Sequence, residues 1–284
     1  MSKIAVVTDS AAWLPKDLLA KYNIAIVPLL LIWEGQTLYD GVDIQPQEFY
    51  ARIKTAKAMP TTSQATSAAM QTVFTELAEK DFDVLGIFIS SKLSGTVQSA
   101  MLGRDAMGRG KDKVYIVDSQ STAMAMGFQV LAAARAAEGG ASVTDAMAAA
   151  QQARAHSGLF FAVETLEFLH RGGRIGGAQR FIGAALKMKP VLALKDGRVE
   201  AVERIRTKSK AIERVFELVA EQVNGKTPIR IASLHADAPD EARTLLDRAT
   251  KELGAAESIL TEFSPVIGNH AGPGTVGLAY VTGI

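Results

Sequence analysis

The 284-residue chain contains no cysteine. This absence excludes disulfide bonds, thiolate nucleophiles, iron–sulfur clusters and cysteine-ligated zinc. The four histidines do not stand at the spacing of zinc ligands; they are His156, His170, His235 and His270. The chain also lacks the P-loop, the H-E-x-x-H metalloprotease motif, the G-x-S-x-G motif and the protein-kinase signatures. The sequence therefore predicts neither a catalytic apparatus complete in itself nor a cofactor.

The chain has no excess of charge of either sign and no long apolar run. Its 31 Lys and Arg residues balance 30 Asp and Glu residues, whereas nucleic acids and anionic membranes attract a strongly positive field. The longest apolar runs, 25–33 and 124–137, fall short of the ~20 residues that span a bilayer. The opening residues, MSKIAVVTDS, do not form a signal peptide. We expect a cytoplasmic protein without a membrane span and without a nucleic-acid partner.

Strand-like and helix-like segments alternate along a chain of globular composition, with 48% hydrophobic and 21% charged residues. Apolar runs at 4–8, 84–89 and 114–117 are separated by helical patterns, which predicts parallel βαβ units. The later half contains a predicted hairpin around Asp196-Gly197. We predict an α/β fold of two α/β domains, 1–158 and 159–284, with a mostly parallel sheet in the N-terminal domain.

Hydroxyl-rich segments follow several predicted strands, where ligands of open α/β sheets bind. Ser94-Gly95-Thr96 opens a predicted helix and offers a hydroxyl, unpaired N–H groups and the positive end of a helix dipole to an anion. A second segment, 60–64, forms a predicted loop whose neutral hydroxyl donors suit a carboxylate that must stay reactive. Both segments are equally explained as helix caps.

A glycine-rich predicted loop near the chain end, 267–274, contains His270. This histidine is either an exposed turn residue or a site residue with backbone room around it. The literal G-x-G-x-x-G match at 272–277 is not a dinucleotide motif, because no βαβ unit follows it. Basic residues form a solvated face or a docking or phosphate-facing patch; they are Arg171, Arg174, Arg204, Arg206, Lys208 and Lys210.

Taken together, these motifs resemble the DegV family in order and spacing over essentially the whole chain. The segments that carry the resemblance are Thr8-Asp9-Ser10, 40–43, 60–64, 93–96, 117–119, 172–175, 189–191 and 267–274. The resemblance implies two α/β domains with a long-chain fatty acid, such as palmitate, buried between them. It also implies a non-catalytic subunit of bacterial fatty acid kinase. Such a subunit presents the acyl carboxylate to a separate ATP-binding kinase subunit, which makes acyl-phosphate for phospholipid synthesis.

The resemblance also assigns site residues. Thr62 and Ser94 match the hydroxyls that hold the carboxylate, with Ser63 and Gly95 as neighbours and His270 beside the head group. The family often has proline where Ala65 stands here.

Three further residues match a supporting network in the family, and a fourth matches its kinase-facing surface. Arg171 and Arg174 match arginines near the site, and Asp40 is expected to pair with one of them. Arg206 is expected on the surface that docks the kinase. The family often has hydroxyl residues at the positions of Asn269 and Ala271.

A fatty acid is physically reasonable, since ~15 methylenes at ~0.8 kcal/mol each gain up to ~12 kcal/mol on burial. Apolar candidates for the tunnel wall, which equally suit an ordinary core, are 160–162, Phe168, 181–185 and Met188. The alternative function is an enzyme that acts on a small acid or a phosphate ester through Ser94 and His270.

Overall fold

The computed structural model describes residues 3–182 and 188–284 of the chain. Its strands are β1 (Lys3–Asp9), β2 (Ala25–Val27), β3 (Leu30–Trp33), β4 (Gln36–Tyr39), β5 (Thr61–Ser63), β6 (Phe82–Phe88), β7 (Val114–Asp118), β8 (Ser157–Ala162), β9 (Lys189–Lys195), β10 (Arg198–Ile205), β11 (Ile229–His235), β12 (Glu257–Glu262) and β13 (Val276–Thr282). Its α-helices are α1 (Lys16–Lys21), α2 (Pro46–Ile53), α3 (Ser67–Glu79), α4 (Thr96–Asp105), α5 (Ala123–Glu138), α6 (Val143–Ala155), α7 (Glu167–Arg171), α8 (Lys208–Val223), α9 (Pro239–Leu253) and α10 (Pro265–Ala271).

A parallel sheet with the strand order β2-β1-β6-β7 forms the centre of the first half. Its strands read as continuous apolar runs. In β6, for example, every residue from Val84 to Phe88 is buried. This pattern arises because α3, α4, α5 and α6 pack against the strands, so that neither face meets water. The predicted parallel βαβ units are confirmed here.

A mixed sheet with the strand order β10-β9-β8-β13-β11-β12 forms the second half. Only the β11–β12 pair is parallel among its described pairs. The predicted hairpin is confirmed, with Lys195 opposite Arg198. Asp196 and Gly197 have φ of 49° and 80°, the left-handed conformations that a two-residue hairpin loop requires.

Helix α5 lies between the two large sheets. It contacts β1 and β6 on one side and β8 and β13 on the other. Nearly all of its first twelve residues are buried, and many are alanine or glycine, so sheets can approach it closely. The apolar core consequently extends from the first half into the second, while α8 and α9 cover the opposite face of the mixed sheet. The domain boundary near residue 158 stays a prediction.

A small antiparallel sheet, β4-β3-β5, was not predicted. The apolar run at 24–33 is divided at Pro28 into β2 of the parallel sheet and β3 of the small sheet. The predicted loop at 60–64 contains β5, in which Thr62 pairs with Leu31. Pairing across more than 20 residues leaves no local signature in such short strands.

The segment that contains His270 was predicted as a loop, and the structure corrects this to helix α10. Ser264 caps the helix by accepting from the Ile267 N–H, and Pro265 occupies its first turn. Gly268 lies inside this helix. The position is a glycine because a Cβ there would collide with the Tyr50 side chain. The helix ends at Gly272, whose φ is 82°.

Ser142 caps the start of α6, since its Oγ accepts from the Asp145 N–H at 3.2 Å. Among the helices of the described residues, none has both the length and the apolar character needed to cross a membrane.

Candidate functional site

An apolar cavity lies where the two halves meet, beyond the carboxyl ends of the parallel strands. Its space amounts to about 740 Å³, including the part open to solvent. The first half contributes Leu29, Thr62, Ser63, Gln64, Ile89, Leu93, Ser94 and Thr122 to the lining. The second half contributes Leu159, Phe161, Leu169, Arg174, Leu194, Val199, Phe263, Val266, Ile267, His270 and Ala271. The wall is therefore mainly aliphatic and aromatic, with a small group of polar side chains.

The structure brings Thr62 and His270 together from opposite ends of the chain. Thr62 Oγ1 lies 2.8 Å from His270 Nε2, so β5 of the first half is tied to α10 of the second. Either atom is able to donate, depending on the imidazole tautomer. When Nε2–H donates, the Thr62 hydroxyl proton remains available to a ligand.

His270 is held as a neutral imidazole. Burial, and after it the positive charge of Arg174, lowers the pKa of His270 to about 4. Its Nδ1 is buried and has no hydrogen-bond partner among the described residues. Gly172 packs directly against the ring, and a Cβ at that position would collide with it. A glycine is therefore required beside His270 for reasons of space.

Ser94 and Gly95 lie at the start of α4, as predicted. Ser94 Oγ and Thr96 Oγ1 share a hydrogen bond of 2.8 Å. Gly95 is the N-cap residue, and in the described part of the chain no side chain caps this helix end. Gln64 covers Gly95 so closely that a Cβ there would lie 2.5 Å from its Oε1. The first N–H groups of α4 are thus available to donate hydrogen bonds to an anion.

Ser94 and His270 do not form a catalytic pair. Within the described residues, the structure pairs the His270 ring with Thr62 and pairs the Ser94 hydroxyl with Thr96. A nucleophilic serine needs a base within hydrogen-bond reach. The geometry consequently offers hydroxyl groups that can donate hydrogen bonds to a carboxylate, rather than an activated nucleophile.

Arg174 and Arg171 differ in their surroundings. Arg174 is part-buried and donates to the carbonyl oxygens of Leu93 at 3.0 Å and Gly172 at 2.8 Å, which fixes its guanidinium beside His270. Arg171 pairs with Glu167 one helical turn away on an exposed face. Both arginines line a second cavity that shares Thr62 and His270 with the apolar one.

The expected pairing of Asp40 with an arginine is wrong for the described residues. Asp40 is buried, accepts from the Ser10 hydroxyl at 2.6 Å and the Val266 N–H at 3.3 Å, and is also bonded by the Ser264 hydroxyl. It therefore secures the N-terminus of α10, where the helix dipole favours a negative charge. Ser10 completes the link by accepting from the Leu29 N–H.

A second buried carboxyl, Asp9, belongs to the same region. It accepts from the N–H groups of Ala11 and Ile89, and burial raises its pKa to about 7. Burial likewise raises the pKa of Asp40 to about 7, although its hydrogen bonds oppose the shift. The sequence motif Thr8-Asp9-Ser10 pointed to the site, but its role as a support for α10 carries no local signal.

The basic run after β10 is dispersed rather than clustered. Arg204 stacks on Phe181, with 5.1 Å between the guanidinium carbon and the ring centroid. Lys208 pairs with Glu164 and Glu241, and Arg206 is exposed.

Among the predicted wall residues, Phe161 lines the apolar cavity and Phe168 lines the second one. Residues 183–185, also predicted as wall, lie outside the described residues. The branched residues of the wall, such as Leu29 and Ile89, were missed because apolar core and apolar cavity have the same sequence pattern. In the part of the chain that the structure describes, no group of three metal-ligating side chains is assembled.

An apolar cavity between the halves of an α/β protein, with hydroxyl side chains in its wall, has the chemistry of a site for an amphipathic ligand. The family model described as "Uncharacterised protein, DegV family" matches residues 3–283. The chain belongs to the DegV family, which confirms the resemblance seen in the sequence.

Relatives match along their whole length. The chain is 38% identical over 277 residues to a DegV domain-containing protein of Streptomyces coelicolor, covering 97% of each chain. It is 34% identical over 278 residues to Protein DegV of Bacillus subtilis, covering 98% of each.

Solved structures confirm the two-domain α/β fold. A DegV family protein from Thermus thermophilus, described as fatty acid binding, has a TM-score of 0.92 and 38% identity, covering 99% of each chain. DegV of Bacillus subtilis, described as a fatty acid binding protein, has a TM-score of 0.90 and 32% identity, covering 100% of each chain. A stearic acid-binding protein from Eubacterium ventriosum has a TM-score of 0.89 and 25% identity, covering 99% of this chain and 98% of its own.

Proposed function

We propose that this protein binds a long-chain fatty acid in the apolar cavity and presents its carboxylate to a separate ATP-dependent kinase subunit. The observation that carries the proposal is the cavity itself, a largely aliphatic and aromatic wall that meets paired hydroxyls and a helix N-terminus. The structural relatives described as fatty acid binding support the same ligand class.

The acyl chain supplies the affinity. Each buried methylene contributes ~0.8 kcal/mol, so a chain of ~15 gains up to ~12 kcal/mol before the cost of ordering it. The head group then needs only enough donors to offset the loss of its hydration. The cavity wall thus provides most of the affinity, and the head-group site compensates for the hydration that the carboxylate loses.

Thr62 and Ser94 hold the carboxylate in this proposal, and Ser63 and the Gly95 end of α4 lie beside it. In the tautomer with the proton on Nε2, His270 donates to Thr62, and the Thr62 hydroxyl donates to a carboxylate oxygen. The lowered pKa keeps His270 neutral at physiological pH. A neutral donor chain holds the anion without a direct ion pair, which leaves the carboxylate oxygen nucleophilic.

The second cavity provides the approach to the head group. It shares Thr62, His270 and Arg174 with the apolar cavity and adds Arg171. A kinase subunit that places ATP here would let a carboxylate oxygen attack the γ-phosphorus, forming acyl-phosphate and releasing ADP. Guanidinium groups at this position suit the negative charge of the transferred group. The protein itself supplies substrate and position, not the phosphoryl donor.

Native mass spectrometry of the gently purified protein, followed by extraction of the ligand, tests the binding step. We expect a mass increase equal to that of a long-chain fatty acid, which disappears after delipidation and returns on incubation with palmitate. The protein alone should show no ATP turnover. A cavity that stays empty after purification and does not take up palmitate would contradict the proposal.

Replacing Arg206 with alanine tests the presentation step. Arg206 is exposed beyond β10 and does not line either cavity. We expect palmitate binding within error of wild type and phosphorylation of bound palmitate by the kinase subunit lowered roughly tenfold, the loss of ~1.4 kcal/mol of interface energy. The assay measures phosphate transfer from labelled ATP.

Lys210→Ala is the matched control, because Lys210 is another exposed cation of the same basic run. Palmitate bound to this variant should be phosphorylated by the kinase subunit as efficiently as palmitate bound to wild type. Loss of palmitate binding in Arg206→Ala, or equal phosphorylation by the two variants, would remove Arg206 from the docking surface.

A further inference from the structure

The wall of the apolar cavity contains a hydroxyl that the described residues leave without a partner. Thr122 lines the cavity and is 8% exposed, and its Oγ1 is buried without a hydrogen bond. Buried hydroxyls are nearly always paired, because removing one from water without compensation costs free energy. The group that satisfies this hydroxyl is therefore to be sought in the cavity.

The local backbone does not account for the hydroxyl. Thr122 is the N-cap residue of α5 and has extended backbone angles, φ −155° and ψ 175°. Threonine at an N-cap usually accepts from a helix N–H, but in the described part of the chain its side chain makes no such bond. Its carbonyl oxygen accepts from the Met126 N–H at 3.2 Å. The main chain is thus secured, and the side chain is unused.

The side chain is free to present its oxygen to the cavity. A rotation of about 120° around the χ1 angle of threonine moves Oγ1 into the position of the methyl group, and the methyl group into the position of the Cβ hydrogen. Since no hydrogen bond fixes Oγ1 in its present position, a ligand atom that accepts or donates a hydrogen bond is able to select the rotamer that faces it.

Three other polar side chains of the lining have hydrogen-bond partners within the protein. Thr62 bonds His270, Ser94 bonds Thr96, and Gln64 donates to Ser99 at 3.3 Å. Thr122 stands on a different segment from these, after β7, where the Ser121 carbonyl accepts from the Ser90 N–H. Thr122 lines the apolar cavity and, unlike Thr62 and His270, does not line the second cavity.

We infer that Thr122 recognises an oxygen substituent on the acyl chain, so that the cavity prefers a hydroxy fatty acid to the unsubstituted acid of equal length. This inference rests on the proposed function and deepens it by naming the ligand subclass. A hydroxyl on the chain both donates and accepts, which satisfies Thr122 and its own oxygen together. An unsubstituted chain leaves the Thr122 hydroxyl unpaired, and a site with an unpaired polar group discriminates against such a ligand.

Competition binding against a fluorescent fatty acid tests the inference. The competitors are stearate and a series of monohydroxystearates with the hydroxyl at successive carbons. The series identifies the carbon of the acyl chain that lies beside Thr122. We expect at least one isomer to bind wild type about tenfold more tightly than stearate, the equivalent of ~1.4 kcal/mol.

Thr122→Val, which preserves shape and removes the hydroxyl, should abolish this preference and bind stearate at least as well as wild type. Thr122→Ser keeps the hydroxyl and should retain the preference. The valine variant is expected to fold, because it removes no side-chain hydrogen bond.

The outcomes separate this inference from the proposed function. Binding of stearate with no preferred isomer, or the same preference in wild type and Thr122→Val, overturns the inference and leaves fatty acid binding intact. Tighter binding of every ligand to Thr122→Val by one common factor also overturns it, because the hydroxyl would then be only a desolvation cost. Failure of wild type to bind stearate and all hydroxystearates contradicts the proposed function itself.

Discussion

Replacing Asp40 with asparagine is expected to remove much of the pH dependence of stability between about pH 4 and about pH 7. In the folded protein, burial raises the pKa of Asp40 from 3.8 to about 7. The folded state therefore holds a proton that the unfolded state has released in this window. Stability is greatest below the unfolded pKa and falls as pH rises through the folded pKa. A difference of about three pKa units corresponds to ~4 kcal/mol.

Asp9 contributes in the same direction, since burial raises its pKa to about 7 and the charge of Asp40 adds to the shift. Asp40→Asn should therefore flatten the slope only in part, and Asp9→Asn/Asp40→Asn should flatten it further. The measurement is urea unfolding across the pH window. The single variant should also lose ~1–3 kcal/mol, because its amide NH2 group replaces one of the two carboxyl oxygens that accept from the Ser10 hydroxyl and the Val266 N–H.

A slope equal to that of wild type in Asp9→Asn/Asp40→Asn would show that these carboxyls keep an ordinary pKa in the fold. Ser10→Ala serves as the comparison, because it removes the hydroxyl that donates to Asp40 and keeps both carboxyls. It should lower stability while preserving a decline of stability with rising pH.

The variant Thr62→Ala/Ser94→Ala is expected to lose fatty acid affinity without unfolding. Each buried carboxylate contact left unpaired costs ~1–3 kcal/mol, so two contacts together cost ~2–6 kcal/mol, a loss of roughly 30-fold to 10⁴-fold. Either single variant should lose the smaller share. Displacement of a fluorescent fatty acid measures affinity, and thermal unfolding of the delipidated protein checks the fold.

Thr61→Ala/Ser91→Ala is the matched control. Thr61 is exposed and precedes Thr62 on β5; it borders the second cavity but does not line the apolar one. Ser91 is exposed and bonds Asp118. This control should retain wild-type affinity. Equal affinities for the two double variants would place the head group elsewhere in the cavity.

Local pattern was sufficient for the elements whose residues lie next to one another in sequence. The apolar runs that became β1, β6 and β7 are buried on both faces, and Asp196-Gly197 has the conformation of a hairpin turn. The hydroxyl motifs at 60–64 and 93–96 both contribute side chains to the wall of the apolar cavity. In each case the physical cause acts within a few residues.

Contacts between distant segments could not be predicted in the same way. Thr62 and His270 are 208 residues apart, and neither motif specifies the other. Asp40 was expected beside an arginine because of the family resemblance, yet the fold brings it to Ser10 and Val266. Glycines suggested a loop around His270, whereas Gly268 is needed inside a helix to fit against Tyr50.

The position of α5 has a consequence for tolerance to substitution. Its small buried residues touch strands of both large sheets, and closely packed interiors accommodate added volume poorly. A bulkier residue on this helix would therefore disturb the two halves at once, and with them the width of the apolar cavity between them.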